Sequence, residues 1–381
     1  MRDVIILGCG MVGSAIAMDL AADAGLRVTV ADVRAEPLAE VARRWSVRTL
    51  QADLLSDPGA LARTVAPFDV VVGALPSRFG LATLRTIIEA GKSYVDISFM
   101  PEDPLVLAPL ARERGAVAVV DCGVAPGSSN VILGWAASVL DPCEAIHVKV
   151  GGLPAIRTWP WQYKAPFAPS DVIEEYTRPA RMVEHGEVVE YEALSGAELV
   201  DVPGIGTLEV FNTDGLRTLL STMKHVPHMT EKTMRWPGHI ELMRVLRDTG
   251  LFSQTPISVD GREVVPLDVT SALLFPKWTF APGEEDITVL RVEAIGKKDG
   301  QRVRMVWDMI DRYDARTDTR SMSRTTGFPA AIVTRWLAED RVKEPGVHPP
   351  EVLGRIPGLC DEMLAELRER GIDFQARVEV L

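Results

Sequence analysis

The chain lacks the features of secreted, membrane-spanning and metal-binding proteins. Only four of its 381 residues are cysteines, and they form no CxxC pair. This argues against a disulfide framework or a zinc ribbon, and for a reducing cytoplasm. No apolar run approaches the roughly 20 residues needed to cross a bilayer. Because a strand pattern begins within the first few residues, we expect no signal peptide, no membrane association and a cytoplasmic location.

Positive charge is also scarce. The chain has 41 Lys and Arg residues against 53 Asp and Glu residues, which leaves a formal net charge of −12. An acidic surface repels a phosphate backbone, so we expect a small-molecule partner and no nucleic acid. The length is too great for one ordinary domain and suits two.

Two patterns of hydrophobicity divide the chain. Residues 1–125 alternate continuous apolar strands with helical stretches, which predicts a doubly wound parallel sheet of the Rossmann type. Residues 126–325 contain alternating strands and a hairpin turning at Asp299-Gly300, which indicates an α+β domain with a mostly antiparallel sheet. We expect residues 326–381, including a helix from Pro329 to Ala338, to return to the first domain. The predicted class is therefore α/β with a second α+β domain.

A glycine-rich turn follows the first predicted strand. It has the spacing GxGxxG and opens a helix, as a dinucleotide-binding turn requires. The first glycine permits the tight turn, the second lets the backbone approach a pyrophosphate, and the third lets the helix pack against the strand. The free N–H groups of the helix start then favour an anion. The turn consists of Gly8, Cys9, Gly10, Met11, Val12 and Gly13.

The residues after the next strands refine the cofactor prediction. Asp32 ends the second strand, where a carboxylate accepts hydrogen bonds from a ribose and repels a 2′-phosphate, so NAD is favoured. Arg34 keeps NADP possible, because an arginine can accommodate that phosphate. Asp53 lies near the adenine or caps a helix. The segment Ala74-Leu75-Pro76 leaves a strand at its carboxyl end, where open α/β sheets place ligands.

The second region carries candidates for a substrate site. Lys232, Arg235 and His239 fall within a basic stretch, which suggests an anionic substrate group or else a solvated helix face. A histidine at a helix start is mostly exposed, and the helix dipole favours its neutral form. Thr213 or Asp214 caps a helix, or Asp214 binds an ammonium group. Gly152 allows close backbone approach, and Tyr163 walls a pocket or fills a core, with Trp159 and Trp161 beside it.

Several short motifs, in this order, resemble the saccharopine dehydrogenase-like oxidoreductases and, within them, the lysine 6-dehydrogenases. They are DCGVAPG at 121–127, GLP at 152–154, FNTDGLRTL at 211–219, KTMRWPGH at 232–239, TGFP at 326–329 and GVHPP at 346–350. The resemblance implies a Rossmann domain joined to an α+β domain, with the active site in the cleft between them. It also implies at least a homodimer.

The resemblance further implies the chemistry of lysine degradation. A lysine 6-dehydrogenase oxidises the ε-amine of L-lysine with NAD, and the resulting semialdehyde cyclises to a piperideine carboxylate. By residue type and motif position, we assign His239 or Lys232 to proton transfer, Arg235 to the substrate carboxylate and Asp214 to the α-ammonium. Further substrate contacts are assigned to Thr213, Gly152, Tyr163 and Asp121.

Three other functions fit the same motifs. Saccharopine reductase has the same fold and a substrate richer in carboxylates, which Arg157, Arg178 and Arg181 could bind. The carboxynorspermidine-forming relatives are a further possibility. A dinucleotide-sensing protein without turnover would keep the glycine-rich turn beside a degraded second motif, whereas here that motif retains its charged residues.

Overall fold

A computed structural model describes residues 1–381, apart from the side chain of Pro58. The chain forms two compact units, and each contains two separate stretches of sequence. The first unit comprises Met1–Val139 and Ser323–Asp373, and the second comprises Leu140–Met322 and Phe374–Leu381. Within the part of the chain that the structure describes, no helix is both long enough and apolar enough to cross a membrane.

The first stretch alternates strands and helices, as its apolar runs predict. Two short 3-10 helices, Ser77–Phe79 and Pro104–Leu107, interrupt this alternation. The strands are β1 (Arg2–Leu7), β2 (Leu26–Asp32), β3 (Arg48–Gln51), β4 (Val70–Gly73), β5 (Ser93–Asp96) and β6 (Val117–Val119). The helices are α1 (Met11–Ala21), α2 (Ala35–Arg44), α3 (Pro58–Val65), α4 (Gly80–Glu89), α5 (Ala108–Arg114) and α6 (Ser128–Val139).

The middle stretch is richer in strands. Its strands are β7 (Cys143–Pro154), β8 (Ala180–Glu184), β9 (Glu187–Tyr191), β10 (Glu198–Val202), β11 (Gly206–Asn212), β12 (His228–Arg235), β13 (Ile257–Val259), β14 (Arg262–Val264), β15 (Asp286–Lys298) and β16 (Gln301–Arg312). Its helices are α7 (Pro169–Thr177), α8 (Leu219–Thr222), α9 (His239–Asp248) and α10 (Pro266–Trp278).

The last stretch contributes to both units. It contains α11 (Ser321–Ala338), β17 (Gly346–His348), α12 (Pro350–Gly354), α13 (Leu359–Glu369) and β18 (Phe374–Val380). Strand β17 adds to the sheet of the first unit, and β18 adds to the sheet of the second.

The sheet of the first unit is entirely parallel. Its seven strands lie in the order β17-β6-β5-β4-β1-β2-β3. The order reverses beside β1, whose neighbours are β2 and β4. Such a switch point, at the carboxyl ends of the strands, is where open α/β sheets bind ligands. The predicted Rossmann architecture is confirmed, and the glycine-rich turn lies at this switch point.

The sheet of the second unit is mostly antiparallel, as predicted. Its main path is β10-β11-β12-β7-β15-β16-β18, with β8 and β9 attached beside β12. Within this sheet, as the structure describes it, only the β12–β7 pair is parallel. The long hairpin of β15 and β16 turns at Asp299 and Gly300, both at positive φ, which confirms the predicted turn.

The prediction that a helix begins at Pro329 is wrong, because α11 begins eight residues earlier and contains this proline. Its first turn is capped by a residue distant in sequence. The carboxylate of Asp286 accepts hydrogen bonds from the N–H groups of Ser321 (2.6 Å) and Met322 (2.9 Å). Because proline favours the first turn of a helix, the predicted start was placed at Pro329, which is too late.

Candidate functional site

The glycine-rich turn between β1 and α1 requires two of its glycines for steric reasons. Gly8 has φ +103°, and a Cβ there would lie 2.4 Å from the carbonyl oxygen of Ala74. A Cβ on Gly13 would lie 2.1 Å from the carbonyl oxygen of Gly8. Gly10 differs, because a Cβ there would meet nothing within 4 Å. The second glycine therefore faces open space, where a ligand can approach the backbone.

The start of α1 provides the groups that a pyrophosphate needs. Gly10 is the N-cap, no side chain caps the helix, and the first turn holds no acidic residue. The N–H groups around Met11 and Val12 and the helix dipole can therefore stabilise an anion, and no acidic side chain of the first turn competes with it. Cys9 is buried, and burial raises the pKa of its thiol. The turn fits a dinucleotide.

The carboxylate of Asp32 is fixed by the turn and by Arg34. It accepts hydrogen bonds from the Cys9 N–H (2.7 Å) and the Arg34 N–H (2.8 Å), and from the Arg34 guanidinium at 3.2 Å. Burial raises the pKa of Asp32, but these hydrogen bonds outweigh burial and the net shift is downward. The side chain of Arg34 is 61% exposed. The residue that favours NAD and the residue that accommodates NADP therefore form one ion pair.

The remaining predicted cofactor residues differ in position. The segment Ala74-Leu75-Pro76 follows β4, and the Ala74 N–H donates to the Leu7 carbonyl (2.8 Å), directly beside the turn. Asp53 instead accepts hydrogen bonds from the N–H groups of Leu55 and Ser56. It stabilises the local turn after β3, and the alternative that it caps a helix is wrong, because Asp57 is the N-cap of α3.

Two buried aspartates lie at the carboxyl ends of β5 and β6. Asp96 ends β5 in register with Gly73, and it accepts hydrogen bonds from the hydroxyls of Tyr94 and Ser98. Asp121 follows β6, is 1% exposed and has φ +53°. Burial, assisted by the charge of Asp121, raises the pKa of Asp96 to about 7. Sequence reasoning missed Asp96, although a carboxylate ending an apolar strand was a usable signal.

In the second unit, Arg235 lies at the centre of a buried polar cluster. It is 2% exposed. Its guanidinium donates to the Glu175 carboxylate and, at 3.2 Å, to the Tyr176 hydroxyl. It also stacks 4.7 Å from the ring centre of Tyr163. Burial raises the pKa of Glu175, and the Arg235 charge opposes this rise. The buried charge of Arg235 therefore has a carboxylate partner, as the burial of a charge requires.

His239 belongs to the same cluster. Its Nδ1 lies 2.7 Å from the Trp161 carbonyl oxygen, and its Nε2 lies 2.9 Å from the Tyr176 hydroxyl. A carbonyl only accepts, so Nδ1 carries the proton and Nε2 accepts from Tyr176. The expectation that His239 is exposed is wrong: it begins α9 but is 0% exposed. Burial first, and the Arg235 charge second, lower its pKa to about 3.

The other predicted substrate residues have protein partners elsewhere in the second unit. Lys232 donates to Glu198 (2.9 Å). Asp214 accepts two hydrogen bonds from the guanidinium of Arg181, at 2.8 and 2.9 Å, and does not begin a helix. The hydroxyl of Thr213 lies 3.0 Å from that of Thr233.

Gly152 lies within β7, in register with Thr288, where a Cβ would crowd two side chains. It would come within 2.7 Å of both Met322 and Pro166. This glycine therefore serves close packing.

The structure thus brings together three residues that the sequence selected separately: Arg235, His239 and Tyr163. Their shared neighbours Glu175 and Tyr176 were missed. Both lie on α7, 60 and 59 residues before Arg235, and no local pattern links the two segments. Lys232, Asp214 and Thr213 have their described contacts outside this cluster.

Comparison with known protein families matches nearly the whole chain. Residues 4–119 match the family described as saccharopine dehydrogenase NADP binding domain, and residues 123–372 match saccharopine dehydrogenase C-terminal domain. The chain belongs to the saccharopine dehydrogenase family. It is accordingly an oxidoreductase with a nicotinamide dinucleotide cofactor, which the residues of the glycine-rich turn fit. The sequence resemblance is confirmed at the level of this family.

Individual relatives are distant but span most of the chain. Carboxynorspermidine synthase of Vibrio cholerae is 25% identical, covering 84% of this chain and 81% of its own. Saccharopine dehydrogenase [NADP(+), L-glutamate-forming] of Saccharomyces cerevisiae is 22% identical over 97% of each chain. A crystal structure of the L-Glu-forming saccharopine dehydrogenase from the same yeast has a TM-score of 0.81 at 19% identity, covering 100% of both chains. It shows that the two proteins share the fold.

Proposed function

We propose that this enzyme oxidises an amine of an amino-acid substrate, with the terminal amine of L-lysine as first candidate and NAD as first cofactor. The observation that carries the proposal is the dinucleotide turn with Asp32 at its edge, in a chain whose family acts through a nicotinamide dinucleotide. The motifs at 211–219 and 232–239 resemble those of the lysine 6-dehydrogenases and thereby support lysine as the substrate. Lysine degradation in the cytoplasm by a homodimer belongs to the same proposal.

The reaction requires a neutral amine, a general base near that amine, and charged partners for the distant end of the substrate. When bound, the nicotinamide accepts the hydride from the carbon that bears the nitrogen. The amine must be neutral at that moment, so a protein group has to take up its proton. The resulting imine adds water and releases ammonia, which leaves an aldehyde able to cyclise with the α-amine. The distant carboxylate and α-ammonium need charged partners that hold the chain in place.

We carry the predicted roles forward as part of the proposal. His239 and Lys232 are the candidates for proton transfer, Arg235 for the carboxylate and Asp214 for the α-ammonium. Thr213, Gly152, Tyr163 and Asp121 remain the proposed additional contacts. Each charged candidate already has a protein partner, so each role requires the substrate to displace or share that partner.

A second candidate substrate class is the secondary amine with several carboxylates. It is favoured by the relatives of this chain, which include a saccharopine dehydrogenase and a carboxynorspermidine synthase. Such a substrate needs additional cations. Arg157 is a candidate: it lies over the ring of Trp236, and its guanidinium donates to the side chain of Gln162 and to the Pro237 carbonyl. Arg178 pairs with Glu174. Arg181 already forms the ion pair with Asp214.

The proposal is tested by measuring NAD+ and NADP+ reduction with lysine, ornithine, saccharopine and simple amines. We expect turnover of lysine with NAD+. Activity with saccharopine and none with lysine would transfer the function to the second candidate. Arg34→Ala removes the cation that can accommodate a 2′-phosphate. It should therefore lower the affinity for NADP(H) at least tenfold while leaving NAD(H) binding intact or tighter. Equal losses for both cofactors would contradict this division of roles.

The assignment of the base is tested separately. His239→Ala and Lys232→Ala should each be assayed with lysine, beside Lys277→Ala, an exposed lysine on α10, as the matched control. Loss of turnover in at least one of the two candidate variants, with cofactor binding unchanged, supports the assignment. Full turnover in both would remove these residues from proton transfer.

A further inference from the structure

Among the described residues, Asp96 is a buried carboxylate whose hydrogen-bond partners are all neutral. It is 1% exposed, and it accepts hydrogen bonds from the Tyr94 hydroxyl and from the hydroxyl and N–H of Ser98. The charge beside it, on Asp121, has the same sign. A buried charge normally has a partner of opposite sign, because an unpaired charge is costly to remove from water. Asp96 therefore either holds a proton or requires a cationic ligand.

Short contacts place Asp96 close to the dinucleotide turn. A Cβ on Gly73, the last residue of β4, would lie 2.7 Å from Oδ1 of Asp96. The next residue, Ala74, meets Gly8 of the turn, where a Cβ would lie 2.4 Å from the Ala74 carbonyl oxygen. Only β4 lies between β5 and β1, the strand that leads into the turn. A dinucleotide spans the switch point of such a sheet. Because Asp32 at the end of β2 suits the adenosine ribose, the nicotinamide half is expected on the other side, above β4 and β5.

The Ser98 hydroxyl allows Asp96 to gain or lose a proton without leaving a buried polar atom unpaired. Its Oγ lies 2.5 Å from Oδ2 of Asp96. A hydroxyl can donate to a carboxylate and can accept from a carboxyl O–H, so this contact is possible in both states. The Ser98 N–H and the Tyr94 hydroxyl, each 3.2 Å from Oδ1, can donate to the other oxygen throughout. The hydrogen-bond network therefore fits both protonation states of Asp96.

The other titratable groups that face Asp96 do not exchange a proton near neutral pH. Tyr94, on the same strand, and Cys122, after β6, are buried, and burial raises the pKa of both side chains well above their usual ranges. At their contacts with this network, β4 and α4 present glycines. Burial, with the charge of Asp121, raises the pKa of Asp96 to about 7. Asp96 is therefore the group of this network that responds to a nearby charge at physiological pH.

We propose that Asp96 is the counter-ion of the oxidised nicotinamide. The oxidised ring carries a positive charge and the reduced ring carries none, whereas the rest of the cofactor is the same. A cation within about 6 Å lowers the pKa of a carboxyl by roughly one to three pH units. The Asp96 proton therefore passes to bulk water when the oxidised cofactor binds, and it stays when the reduced cofactor binds. Asp96 acts through its charge on the cofactor, so the inference does not depend on which amine the enzyme oxidises.

Calorimetric titration with NAD+ and NADH between pH 6 and pH 8 tests this proposal without any amine. NADP+ and NADPH replace them if that pair binds more tightly, because either pair differs only in the ring. We expect the oxidised form to bind about five- to tenfold more weakly at pH 6 than at pH 8. At pH 6 its binding should release about 0.4 to 0.8 of a proton, measured from the dependence of the binding enthalpy on the buffer. Relative to the reduced form, this release and this pH dependence should be additional.

Two substitutions separate a charge effect from a structural one. Asp96→Asn keeps a hydrogen-bonding side chain without the proton site, so the additional release and the additional pH dependence should both disappear. Asp121→Asn removes the like charge, so the pH dependence should persist and move to lower pH, which a loss of structure would not produce. Glu89→Gln, at an exposed acid on α4, is the matched control and should behave like the parent.

Three results would overturn the proposal. They are equal proton release with the oxidised and reduced forms in the parent, unchanged release in folded Asp96→Asn, and an unmoved pH dependence in Asp121→Asn. If Asp96→Asn does not fold, the parent and Asp121→Asn still decide. Failure of every amine to reduce the cofactor would instead contradict the proposed function and leave these binding measurements unaffected.

Discussion

Gly10 is a residue whose side-chain position matters for ligand binding and not for packing of the fold. Its backbone lies in an extended conformation that any residue adopts, and the space beside it is open. Gly13 has the opposite property, because a Cβ there would overlap the backbone of Gly8. Two glycines of one motif therefore have different functions, one for the ligand and one for the protein.

We predict that Gly10→Val folds like the parent protein and loses cofactor affinity. The added side chain should leave the thermal midpoint within about 2 °C and raise the dissociation constant for NAD(H) at least tenfold, since it occupies the space needed for a pyrophosphate. Fluorescence titration with the reduced cofactor measures this. Gly13→Ala is the control that should lower the thermal midpoint itself. Unchanged cofactor affinity in Gly10→Val would refute the assignment.

Residue-level reasoning from sequence succeeded where a motif of fixed spacing marks the site. The turn from Gly8 to Gly13 and the acid at Asp32 follow such a spacing, although Gly8 also meets the Ala74 carbonyl and Asp32 binds the Cys9 N–H. His239 is different, because its helix position was predictable but its burial depends on Tyr176 and Trp161, which lie more than sixty residues away. The burial of His239, which lowers its pKa, therefore cannot be predicted from the sequence.

At the scale of elements, α1 is tied to the last stretch of the chain by one acidic side chain. Asp19, on α1, accepts hydrogen bonds from Arg335 of α11 and from Arg370 just after α13. Its side chain is 10% exposed, and the two arginines are 15% and 17% exposed. A buried pair costs much to break, because removal of one partner leaves the other charge buried. The helix that follows the glycine-rich turn thus depends on distant helices.

We predict that Asp19→Ala destabilises the first unit by about 3 kcal/mol, since two arginines lose their shared carboxylate. Denaturant unfolding measures the change. Glu40→Ala is the matched control, because Glu40 pairs with Arg43 on the surface of α2 and its loss should cost under about 1 kcal/mol. Equal effects of the two substitutions would show that the Asp19 network contributes nothing special.

Element prediction failed where an element depends on another part of the chain. Strands β1 and β4 contain buried apolar runs that are recognisable locally, whereas β3 is exposed at all four positions. The first turn of α11 depends on Asp286, and β18 is exposed at most of its positions and is a strand through its pairing with β16. Long-range hydrogen bonding overrides local propensity in both cases.

At the scale of the whole molecule, Asp96 and His239 contribute to the pH dependence of stability in opposite directions. The native pKa of Asp96, about 7, exceeds its ordinary value of 3.8, so its stabilisation is complete below 3.8 and is lost as the pH rises to about 7. The native pKa of His239, about 3, lies below its ordinary 6.5, so its stabilisation is complete above 6.5 and is lost as the pH falls towards 3. Between these limits the two slopes oppose each other.

We predict that Asp96→Asn and His239→Gln change the pH profile in opposite directions. Asp96→Asn removes a contribution that falls by about 4 kcal/mol between pH 4 and 7, so its stability should rise more steeply with pH than that of the parent. His239→Gln should do the reverse. Urea unfolding from pH 4 to 8 measures both slopes. Parallel profiles for parent and variants would mean that neither group titrates abnormally.

The placement of β17 and β18 has a consequence for synthesis on the ribosome. Residues 346–348 emerge after nearly the whole second unit, yet they complete the parallel sheet that the first 119 residues begin. Until then β6 is an unprotected margin of a six-stranded sheet on the nascent chain. The second unit likewise receives β18 only after the first has received β17. During elongation the first sheet is complete only after residues 346–348 are translated, and the second only after residues 374–380.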